Sequence, residues 1–182
     1  MRNKGLKITV STSIFVPKPF TPFQFAPMAH IEQVDDKIKA VKGSIKSKAI
    51  TYNYHHSQVS YLEGVFARGD RRLCQVLISA YEKGAKFDGW NDYFNFSYWT
   101  EALKECGIDG DFYTYRERST QEILPWDFID IGVNRSYLIR ENEKAQKAQL
   151  TQNCRLGCTG CGINVNFKEG VCFEGALPNQ IH

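Results

Sequence analysis

An α+β fold is what this sequence predicts, and three observations carry the prediction. A strand pattern and an amphipathic helix open the chain, a run of short helices punctuated by glycine fills its middle, and a cysteine-rich segment with a hairpin pattern closes it. At 182 residues the chain has room for one domain or two small lobes. Apolar content of 42% and charged content of 24% are ordinary for a globular protein, and 13% aromatics suffice for a sizeable core. A net charge of +3 does not by itself imply a nucleic-acid partner.

The N-terminal elements come first. Leu6-Lys7-Ile8-Thr9-Val10-Ser11 alternates and runs into Ile14-Phe15-Val16, which predicts a mostly buried strand. Met1-Arg2-Asn3-Lys4 ahead of it imitates a signal peptide, but Thr9, Ser11, Thr12 and Ser13 break the apolar run. Pro17, Pro19, Pro22 and Pro27 lack a backbone N–H and fix φ, so Phe20 to Phe25 is expected to be a rigid extended loop. Ile31, Val34, Ile38, Val41 and Ile45 recur at helical spacing and predict a helix from about Ile31 to Ser47. Ala49 to Tyr54 predicts a second strand, ending at His55-His56.

Three helices are expected next. Ser57 caps the first (Val59, Leu62, Val65, Phe66), Asp70 the second (Leu73, Val76, Leu77, Ala80, Tyr81), and Asn95 or Ser97 starts the third (Trp99, Ala102, Leu103, Cys106). Gly69, Gly84 and Gly107 end them. Ser119-Thr120-Gln121-Glu122 has the form of a capping box before Pro125, and Ile129 to Val133 reads as a short strand or link. Asn134 then caps a long helix to Gln149, whose last two turns are polar and expected to face solvent. Ile163 to Phe167 and Val171-Cys172-Phe173, joined by Lys168-Glu169-Gly170, predict a small hairpin.

The chemistry concentrates in Cys154-Arg-Leu-Gly-Cys158-Thr-Gly-Cys161, followed by Gly162. Thiolates this close, separated by small residues, can converge on one metal centre, and soft sulfur selects iron–sulfur clusters or zinc. Cys172 is the candidate fourth ligand. Clustering of the cysteines also argues against a secreted disulfide scaffold, so a reducing cytoplasm is the expected compartment. No stretch approaches the roughly 20 apolar residues of a membrane helix, so no membrane partner is expected.

Several long motifs carry a family resemblance. Val10 to Gln24, with its Val16-Pro17-Lys18-Pro19-Phe20-Thr21-Pro22-Phe23 core, resembles the last part of a radical S-adenosylmethionine (SAM) barrel. Tyr61 to Leu73, with Glu63-Gly64-Val65-Phe66-Ala67-Arg68-Gly69-Asp70, joins it, as do Lys86-Phe87-Asp88-Gly89-Trp90, Gly107-Ile108-Asp109, Leu124-Pro125-Trp126-Asp127, Ile129 to Val133 and Asn153-Cys154-Arg155. In this order, from about Lys7 to Gly162, they resemble the C-terminal part of an uncharacterised bacterial radical SAM family with an N-terminal cobalamin-binding-like domain.

The resemblance implies a division into a closing segment of a radical SAM (β/α) barrel over 1–52, a helical extension over 53–150 and a Cys-rich metal-binding tail over 151–182. It implies that the SAM-binding motif and most of the barrel lie upstream, in cis or on a separate chain, so this chain alone is not expected to cleave SAM. The residue before the third cysteine is Gly160 where radical SAM motifs usually carry an aromatic, and only 21 residues follow Cys161. An auxiliary 4Fe–4S cluster on Cys154, Cys158 and Cys161 is therefore the expected cofactor, with a four-thiolate zinc site using Cys172 as the rival and RNA or protein as the expected substrate or partner.

Other residues have two readings each. Arg68, Arg71 and Arg72 form an anion or RNA-backbone site or a solvated helix start paired to Asp70 or Glu63. Lys18 faces a barrel mouth if the resemblance holds. His55 and His56 are more simply a polar turn than a metal site. Trp90, Trp99 and Trp126 are better placed in a core than on a base, and Asp88, Asp127 and Asp130 suit turns better than catalysis.

Overall fold

Alternation in the N-terminal segment and the helical repeat after it build a β–α–β unit in the computed structural model, which describes residues 5–167. Strand β1 (Ile8–Thr12) pairs in parallel with β2 (Ile50–Tyr54), in a register from Ile8 opposite Ile50 to Thr12 opposite Tyr54. Parallel neighbours need a long crossover, and helix α1 (Ile31–Ser44) supplies it. The expected burial of β1 is corrected: Ile8 is 44% exposed and the strand is exposed along most of its length. Among the described residues the sheet has only these two strands, so no further strand pairs with its outer edges, and Val10, Thr12, Ile50, Tyr52 and Tyr54 are only half-buried where a parallel sheet is normally buried on both faces.

Helices α2 (Ser57–Arg68), α3 (Leu73–Lys83), α4 (Phe96–Glu105) and α5 (Gly110–Thr114) enclose the main core. It is made of Tyr61, Leu62, Val65, Leu73, Val76, Ala80, Ala85, Ala102, Leu103 and Tyr113. The apolar spacing of each helix supplied the buried stripe, but two caps differ from expectation. His56, extended at φ −68° and ψ 133°, is the residue that precedes α2, while Ser57 is buried in its first turn. Asp70 organises a turn ahead of α3, accepting the Arg72 N–H at 2.9 Å. Asn95 does cap α4, accepting from the Ser97 N–H at 3.1 Å, and Gly84 closes α3 at φ 108°. Helix α5 was not expected; Asp109 starts it by accepting the Asp111 N–H at 2.9 Å.

Contacts divide the described chain into two units. One takes the chain up to Pro17 together with Pro27–Glu117; the other takes Lys18–Ala26 together with Arg118 onward. In the second, Pro22–Phe25 forms a 3-10 turn in place of the expected extended loop, because proline is tolerated in a first helical turn, where its N–H has no partner to lose. Gln24, buried at 2% exposure, accepts from the Trp126 indole N–H at 2.8 Å and from the Phe20 N–H at 3.0 Å, beside a small core of Phe25, Leu124 and Trp126.

Helix α6 (Arg135–Gln146) ends before the expected Gln149. No helix forms at Ser119, whose hydroxyl instead accepts the Gln121 N–H at 3.2 Å in a turn. No strand forms over 129–133, where Asp130 accepts the Gly132 N–H at 2.7 Å and Gly132 sits at φ 77°. The first strand of the expected hairpin is also corrected: Ile163–Asn166 is a short helix, α7, entered through the left-handed Gly162. Its return strand, with Cys172, lies outside the described residues. Among those residues no helix is long and apolar enough to cross a membrane.

Candidate metal centre

The cysteine loop is strapped along α6. At the start of the helix the Asn134 N–H donates to the Cys161 carbonyl at 2.8 Å. One turn on, the Tyr137 hydroxyl meets Thr159 Oγ1 at 3.4 Å, and Arg140 Nη2 donates to the Thr159 carbonyl at 2.7 Å. Farther along, Thr151 donates to the Glu141 carboxylate, and Lys144 Nζ reaches Thr151 Oγ1 at 3.1 Å. Residues three and four apart share a helix face, so 134, 137, 141 and 144 form one row. The polar turns expected to be merely solvated hold the tail. Burial pushes the Glu141 carboxyl up, but the hydrogen bonds from Thr151 and Lys144 outweigh it and keep it below its ordinary value.

Two glycines let the loop turn. Gly160 (φ 72°) and Gly162 (φ 105°) occupy the left-handed region that side-chain-bearing residues avoid. A Cβ on Gly162 would also lie 2.8 Å from the Asn134 side chain.

Cys154 and Cys158 are exposed, Cys161 is half-buried, and all three are free thiols. Two donors point at one sulfur: the Gly160 N–H lies 3.4 Å and the Asn164 side-chain amide 3.6 Å from Cys158 Sγ. Among the described residues no group of three or more His, Cys, Asp or Glu side chains is gathered as a metal would hold it. Donor type, free thiols and N–H groups aimed at sulfur fit a thiophilic centre; closing the sulfurs around it would be part of the binding step.

The remaining candidates are placed apart. Arg68 is completely buried, its Nη1 3.5 Å from the Thr114 carbonyl, while Arg71 and Arg72 are exposed, so the three do not share a surface. Arg72 grips Asp70 with both ends of its guanidinium, at 2.9 Å and 2.7 Å. The Tyr113 hydroxyl donates to the same carboxylate at 3.1 Å. The Arg72 bond holds the Asp70 carboxyl at about 2. Lys18 is exposed, its carbonyl accepting from Thr21 Oγ1 at 2.8 Å. His55 and His56 are both exposed.

The aspartates serve the backbone and its neighbours. Asp88 accepts from the Trp99 indole at 3.0 Å, and Asp127 accepts the Leu124 N–H at 2.8 Å and pairs with Arg135. Trp126 is in the core, whereas Trp90 is 65% exposed beside exposed Phe87 and Tyr93. In the first unit a cleft of about 470 Å³ opens among Ile14, Phe15, Val34, Ile38, Val41 and Tyr52.

Sequence reasoning missed Gln24, Asn142 and Asn164. Asn142 Nδ2 donates to the Pro22 carbonyl at 2.8 Å, a partner far away in the chain. Asn164 carried a signal, since an amide three residues after a metal-type cysteine is a natural donor to sulfur. No protein-family model, no curated protein and no solved structure matches the chain.

Proposed function

We propose that this chain is the C-terminal portion of a radical SAM iron–sulfur protein, and that Cys154, Cys158 and Cys161 hold an auxiliary 4Fe–4S cluster. The observation that carries the reading is the free-thiol loop strapped to α6, with N–H donors on the Cys158 sulfur. When bound, such a cluster supplies a one-electron site whose potential depends on hydrogen bonds to its sulfurs. The chain's own residues hold the loop and set its polarity: Asn134, Tyr137 and Arg140 anchor it, and Gly160 and Asn164 face the sulfur.

The β1–α1–β2 unit supports the barrel half of the reading. A parallel pair that no third strand joins among the described residues suits a segment completed by an upstream half, in cis or on another chain, that binds SAM. RNA or a protein is the proposed substrate class. A four-thiolate zinc module binding RNA or a protein partner is the second reading. It is favoured by the Cys-x3-Cys and Cys-x2-Cys spacings, which lie in the range of structural zinc sites.

Anaerobic reconstitution of the full chain, with iron, sulfide and zinc quantified beside an absorption spectrum, tests both. About four irons and four sulfides per chain are expected. About one zinc without iron would replace the first reading by the second. Metal content no higher than in a variant with all three cysteines changed to serine would remove both. Cys172→Ala separates the ligand counts, since unchanged loading excludes that thiol.

A further inference from the structure

We propose that Asn164 is a positioning residue for the metal centre, its side-chain amide donating to Cys158 Sγ and setting the reduction potential of the bound cluster. The inference rests on the cluster reading above. Cys158 receives two N–H donors, the Gly160 backbone at 3.4 Å and the Asn164 amide at 3.6 Å. These are the hydrogen bonds to cysteine sulfur found among the described residues.

The elements around Asn164 fix where it points. Gly162, left-handed at φ 105°, turns the chain into α7, which carries Asn164 back over the loop. Asn166, two residues on, donates to the Gly132 carbonyl at 2.8 Å and anchors the end of that helix. Asn134 holds the Cys161 carbonyl at 2.8 Å, so the loop is pinned on the other side of the same turn. Asn164 thus sits on a short piece of chain tied at both ends, with its amide directed at sulfur.

The electrostatic consequence has a definite sign. An N–H donor draws charge from a ligating sulfur and stabilises the more negative, reduced state of a cluster, so it raises the potential. Removing the side-chain donor leaves Gly160 as the remaining partner and lowers it. Asn164→Asp keeps the shape, removes both amide hydrogens and adds a negative charge, so it should lower the potential further than Asn164→Ala.

The test reconstitutes the full chain with iron and sulfide as the wild type, Asn164→Ala, Asn164→Asp and Asn164→Gln, and measures metal content and midpoint potential by spectroelectrochemical titration. Equal iron and sulfide in all four, a more negative midpoint for Ala, a still more negative one for Asp, and recovery towards wild type for Gln would establish the role. Coincident midpoints at equal loading would overturn it and leave the cluster reading standing. Loss of iron from both Ala and Asp while the wild type loads would also overturn it, making Asn164 a support of the loop. A wild type that takes up zinc or no metal defeats the cluster reading itself, and this inference with it.

Discussion

Asp70 shows how one side chain is set by its neighbours. Its carboxylate accepts the Arg72 N–H and guanidinium and the Tyr113 hydroxyl. Arg72 holds its pKa at about 2, below the ordinary aspartate range. A depressed folded-state pKa contributes stability that is complete above the unfolded value and lost as pH falls through the folded one. The advantage of the wild type over Asp70→Asn should therefore be full at neutral pH and shrink from about pH 4 to pH 2. Urea midpoints of both proteins across that range would show it, and a gap constant with pH would refute it. The sequence marks Asp70 as a residue that opens α3, and its neighbours Arg71 and Arg72 make pairing with an arginine one of its two expected roles. The Tyr113 bond spans a large separation in the chain and carries no local signal.

Helices α2, α3 and α4 were legible because apolar spacing and terminal glycine or asparagine agree at each one. Helix α7 was not, because Ile163-Asn164-Val165-Asn166 alternates like a strand; the left-handed Gly162 and the anchors on Asn134 and Gly132 decide otherwise. The strap along α6 was also hidden, since polar residues facing solvent and polar residues facing a tail look alike in sequence. Gly162→Ala tests that junction. It would force a side chain into left-handed backbone and against Asn134, at a cost of about 1–2 kcal/mol or more. Metal uptake should fall well below wild type while the helical circular dichroism signal is retained. Wild-type uptake would show that the loop can rebuild without this turn.

For the whole molecule, the contact division has a consequence for dissection. All ten residues of the main core lie within 27–117, although β1 precedes that range. An excised 27–117 fragment should therefore unfold cooperatively in urea, losing the pairing partner of β2 but keeping the helical core; a featureless transition would refute this. The sequence made the α+β composition visible, together with the β–α–β order. It did not reveal that Lys18–Ala26 belongs with the later chain, because Gln24 and Asn142 act through partners far along the sequence. The two-strand sheet also bears on handling. Among the described residues no third strand joins either outer edge, and a bare strand edge is a template for strand addition by any chain, including another copy. Concentrated preparations would thus lose protein first to edge-to-edge aggregation, and light scattering would rise with concentration before any helix melts.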